Sequence, residues 1–70
     1  MVYYGAADMQ TGIVLLVVSI NPDSQNQVYI EEVEKTLADW RTKYKVRRIE
    51  RESYIAVQRG EVLRMVGSAQ

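Results

Sequence analysis

Ile13-Val14-Leu15-Leu16-Val17-Val18 is an unbroken apolar run, continued by Ser19 and Ile20 and bounded by Gly12 and Pro22. It is too short for an ordinary globular helix and rich in β-branched residues. Continuous apolarity, rather than alternation, predicts a strand covered on both faces. A different period follows. Ile30, Val33, Leu37, Trp40 and Tyr44 recur at three- and four-residue steps, within an arc of about 80° at 100° per residue. That narrow stripe predicts a helix over 24–44, packed on one sheet face. Ser24 and Gln27 have the spacing of a capping box. Asn21 as the cap, with Pro22 at the first helical position, fits equally well. Glu31, Lys35, Asp39 and Lys43 form an i, i+4 ladder of alternating sign on the far side, which reads as a solvated face.

Beyond the helix, 45–51 reads as a strand with Val46 and Ile49 as its apolar members. Three residues apart, they cannot share a face of a regular strand, so either a bulge lies near Arg47-Arg48 or the helix runs on. Tyr54–Val57 and Val62–Val66 read as two arms of a hairpin about a Gln58-Arg59-Gly60 loop. Gly60 would take the left-handed conformation after a type I turn. Ile55, Val57, Leu63 and Met65 then share one face. Upstream, Val2-Tyr3-Tyr4 has strand propensity and Asp8–Gly12 turn character, so 1–11 reads as an edge strand or an arm. Residues 67–70 read as a frayed tail.

The expected architecture is therefore a single α+β domain over 1–70, in the order (β)βαβββ. One helix packs on one face of a mixed or mostly antiparallel sheet. A right-handed crossover links 13–20 to 45–51. The other face keeps an apolar surface, which predicts cover from a second subunit. Size favours the same conclusion: a chain of 70 residues is marginal alone, and without Cys no disulfide can support it. A C2 homodimer is the first expectation, with Val14, Leu16 and Val18 at the interface. Tyr3 and Tyr4 are placed there too, as amphipathic rings suit such contacts.

The net charge of zero hides an asymmetry. Residues 1–40 carry six acidic side chains against Lys35, whereas 41–70 carry eight basic ones against Glu50, Glu52 and Glu61. The basic residues crowd into 41–51, next to Tyr44 and Tyr54. Nucleic-acid binding requires such a cluster, so Lys45, Arg47, Arg48, Arg51 and Tyr54 are the candidate contacts. The simpler reading pairs these arginines with Glu50, Glu52 and Glu61 across the sheet.

Absence of His and Cys excludes imidazole and thiolate catalysis and makes a zinc site unlikely on composition. No metal or cofactor is expected, and no residue is assigned as catalytic. The glycines match no phosphate-binding loop. Glu31, Glu32 and Glu34 offer carboxylates without a ligand loop and read as a solvated helix face. The apolar run falls short of the roughly 20 residues of a membrane span. No Lys or Arg precedes it, as a signal peptide would need. A cytoplasmic location without membrane contact is the default.

The leading functional expectation is a non-enzymatic, self-associating interaction or adaptor module, whose partners are itself and another protein. A nucleic-acid-binding regulator using the basic segment comes second. Third is a small RNase-like enzyme without His or Cys, using Tyr, Arg and Glu as proton carriers and charge stabilisers, a reading that a cleft joining Tyr54, Arg48 and a Glu would strengthen.

Overall fold

The computed structural model describes residues 1–65. In chain order the elements are β1 (Val2–Ala7), β2 (Val14–Ile20), α1 (Gln27–Lys43), β3 (Lys45–Ile49) and α2 (Arg51–Gln58). The strands form one antiparallel sheet in the order β2-β1-β3. The fold is a small α+β unit, and its first four elements follow the predicted strand–helix order.

The N-terminal segment is a strand in the middle of the sheet, not at its edge. Its small residues Gly5, Ala6 and Ala7 are buried. A Cβ on Gly5 would come within 3.2–3.3 Å of Val14, Ile49 and Met65. Glycine here lets three apolar side chains close over the central strand.

The turn from β1 to β2 is built by Asp8. Its Oδ1 accepts the N–H groups of Gln10 and Thr11 at 2.7 and 2.9 Å, and its carbonyl accepts the Gly12 N–H at 2.8 Å. Gly12 has φ +76°, the left-handed conformation that glycine adopts without steric cost. The register slips between Ala6 and Ala7, which pair with Leu16 and Val14. Leu15 is therefore the extra residue of a β-bulge.

Alternation along β1 places the two helices on opposite faces of the sheet. Tyr4 lines a cleft with Leu37 of α1. Tyr3, on the other face, packs against Tyr54 of α2 with ring centroids 4.8 Å apart and the rings tilted by 45°. Val46 and Ile49 face opposite sides of a regular β3, opposite Ala6 and Tyr3. No bulge is needed there, because each face has its own apolar cover.

Helix α1 buries Val33 and Leu37 and half-buries Ile30 and Trp40, while Tyr44 is its C-cap. The expected stripe is the one used. Its start differs from both predicted caps. Asn21 and Pro22 make a turn, with Asn21 Oδ1 accepting from Asp23 N–H and the Asn21 carbonyl from Ser24 N–H. Ser24 Oγ accepts from Asn26 N–H. Asn26 is the N-cap, its Oδ1 accepting the Tyr29 N–H at 3.1 Å.

The largest departure from expectation lies at 51–58. Tyr54–Val57 belongs to a helix, not a hairpin arm. The Gly60 N–H bonds to the Val57 carbonyl and the Glu61 N–H to that of Ala56, with Gly60 at φ +89°. This is a Schellman stop. The second expected arm is represented by one antiparallel bridge, Ile13 to Arg64, and its last residue, Val66, lies outside the described residues. So do residues 67–70, the expected tail. The premise of a single helix is thus corrected: the second sheet face is covered by α2 together with Leu63 and Met65 of the same chain.

Candidate functional site

Two sheet edges carry the features that bear on function. Strand β2 forms one edge. Its beginning is sealed by the chain's own 63–65 segment, through Val14 N–H to the Leu63 carbonyl at 2.8 Å and Met65 N–H to the Gly12 carbonyl at 2.7 Å. Towards its end, the Tyr29 hydroxyl donates to the Ser19 carbonyl at 2.9 Å. Between these points lies Leu15-Leu16-Val17-Val18, without a charge or a proline. Among the described residues no strand pairs with its outer side. Leu15 is 51% and Leu16 37% exposed. Val62, next to the Leu63 that binds Val14, is 79% exposed.

Of the five side chains expected at a subunit contact, only Leu16 is classed as exposed. Val14 is buried, while Tyr3, Tyr4 and Val18 are half-buried. Tyr3 is engaged by Tyr54, and Tyr4 lies on the α1 face. Leu15 is exposed next to Leu16, and Val62 adds exposed apolar surface beside the sealed start of β2. The bulge releases Leu15 from regular alternation, and Val62 is carried there by the turn after α2.

Strand β3 is the opposite edge. Lys45, Arg47 and Arg48 are exposed along it, and Arg51 is exposed at the start of α2. Among the described residues the one ion pair is Lys43 to Asp39 at 3.5 Å, on α1. The expected pairing of the arginines with Glu50, Glu52 and Glu61 is therefore absent among these residues. Register sets Arg47 opposite Gly5 and Arg48 opposite Tyr4, so the two guanidinium groups leave opposite faces of the edge.

A groove of about 600 Å³ opens beside this edge, lined by Arg48, Glu50 and Ser53 together with Arg64 and the apolar Ile49, Leu63 and Met65. Arg64 joins the basic cluster only through the fold, since it lies far along the chain from Arg48. Tyr54 does not line the groove. Its hydroxyl accepts from Gln58 Nε2 at 2.9 Å and donates to Ser19 Oγ at 3.4 Å. The convergence of Tyr54, Arg48 and a Glu that would favour an RNase-like reading does not form in this groove. Arg48 and Glu50 share the groove, but the tyrosine is held at β2.

Among the described residues no three metal-ligating side chains gather. None of the described helices is long and apolar enough to cross a membrane. Comparison with known families, curated proteins and solved structures finds no match to this chain.

Proposed function

We propose that this protein is a non-enzymatic, self-associating module whose β2 edge pairs with the β2 edge of a second copy. One observation carries the reading: the Leu15–Val18 stretch is an uncharged, apolar strand edge with no strand on its outer side among the described residues. Such an edge templates pairing with another strand unless charges, proline or a covering segment blunt it. The contrast with β3 supports this. That edge is short and carries three cations in Lys45, Arg47 and Arg48, the usual protection against edge pairing. Two copies of β2 running antiparallel satisfy C2 symmetry, with the same patch used by both. Leu15, Leu16 and Val62 would flank the joint and leave water on association.

Light scattering combined with a double substitution tests this. Leu15→Lys with Leu16→Lys alters two exposed positions, so the circular dichroism spectrum should be unchanged. Wild-type protein at ~100 μM should have at least the mass of a dimer, and the variant that of a monomer. A wild-type monomer at that concentration overturns the proposal, as does a folded variant that still associates.

A further inference from the structure

We propose that the β3 edge is a second interaction surface, one that binds the phosphodiester backbone of nucleic acid without reading its sequence. The surface comprises Lys45, Arg47 and Arg48 on the strand, Arg51 at the start of α2 and Arg64 across the groove. All five are exposed, and none lies within ion-pairing distance of a carboxylate among the described residues. Glu50 is the one anion lining the groove. An edge strand sends alternate side chains to opposite faces. Lys45 and Arg47 therefore project on one side of the edge and Arg48 on the other. A chain of phosphates lying along this margin would meet cations from both sides.

Two observations favour a nucleic acid over an acidic protein. A protein interface takes most of its energy from apolar or aromatic anchors near its centre. Among the described residues the exposed large hydrophobic side chains are Met1, Met9, Leu15, Leu16, Val28, Tyr29 and Val62, none of them on β3, and the apolar residues that line the groove, Ile49, Leu63 and Met65, are half-buried rather than presented as anchors. Phosphate binding needs no such anchors, because release of condensed counterions supplies the driving force. The rings are also committed elsewhere. Tyr54 packs on Tyr3 and Tyr44 is half-buried, so neither of the rings near this edge presents a fully open face for stacking bases. Affinity without base selectivity follows.

The surface lies across β1 from the self-association edge, and its occupancy does not depend on dimer formation. Fluorescence anisotropy with labelled oligonucleotides of single-stranded DNA and RNA tests the proposal on the intact chain. Neutralising four or five phosphates gives a log–log salt slope near −3 for single strands, so affinity should fall roughly 60-fold between 50 and 200 mM salt. Two oligonucleotides of unrelated sequence should bind within about threefold of each other. Arg47→Glu with Arg48→Glu should abolish binding without changing the circular dichroism spectrum, whereas Lys35→Glu on α1 should leave it intact. Absence of binding at ~50 mM salt overturns the proposal. So does an affinity that the Arg47/Arg48 variant retains, or one shared equally by an acidic polypeptide such as polyglutamate.

Discussion

Asp8 shows how one half-buried side chain holds a turn and ties it to pH. The two N–H groups bonded to its carboxylate favour the charged form, and they hold its pKa below the ordinary carboxylate value. A carboxyl depressed in the folded state stabilises the fold above its unfolded pKa, and that contribution disappears as pH falls through the folded value. Asp8→Ala should therefore lower the thermal midpoint at pH 7. The gap from wild type should narrow below about pH 4, as scanning calorimetry across pH would record. The two left-handed glycines make a matched comparison. A Cβ on Gly60 meets nothing within 4 Å, whereas one on Gly12 would sit 2.8 Å from the Met65 carbonyl oxygen. Gly60→Ala should cost about 1 kcal/mol for its backbone conformation alone. Gly12→Ala should cost more, because it also pushes the 63–65 segment off β2; urea denaturation would rank the two. Both glycines stand out in the sequence as turn signals. The clash behind Gly12 does not, since it comes from a segment more than fifty residues away.

At the scale of elements, legibility followed the length of each periodic pattern. The α1 stripe repeats over several turns and its interior was plain, while its start was not. Asn21, Ser24 and Asn26 are all competent caps. The first two spend their side chains on the local turns around Pro22, and this competition is invisible in spacing. Asn26→Ala should cost about 1 kcal/mol in urea denaturation, and Ser24→Ala less. Residues 54–57 were misread for a related reason. Tyr54-Ile55-Ala56-Val57 is a short apolar run that suits strand or helix alike, and a glycine with positive φ ends a helix as readily as it turns a hairpin. The helix formers Arg51, Glu52 and Gln58 around that run, and the opposite-facing Val46 and Ile49, were the available hints of a second helix. If they govern the segment as described, Ala56→Pro should unfold the domain, for it puts proline inside α2, where the cost is about 3 kcal/mol.

For the whole molecule, the question is how so small a chain remains folded. Among the described residues its buried hydrophobic side chains are Ala6, Ala7, Val14, Val33 and Leu37, and two of these are alanines with little surface to bury. The sequence pointed to missing cover over β2, and that pressure persists in altered form. Among the described residues the chain covers both faces itself and leaves an edge without a partner strand, because the segment that reaches β2 from α2 bonds there at Gly12 and Val14. A face-to-face contact and an edge-to-edge contact cannot be told apart from apolarity alone; strand order decides, and strand order depends on contacts distant in sequence. If a second copy completes the edge, association and folding are linked, and stability must depend on concentration. For a folded dimer that unfolds to two chains, a tenfold rise in concentration contributes about 1.4 kcal/mol, which raises the midpoint by roughly 5 °C at ordinary unfolding entropies. Wild-type protein scanned from ~5 to ~500 μM should therefore gain about 10 °C. The Leu15→Lys, Leu16→Lys variant should melt at one temperature throughout, near the value that wild type approaches on dilution. A wild-type midpoint independent of concentration would mean that so sparse a core suffices by itself, and that the β2 edge serves no partner of its own kind.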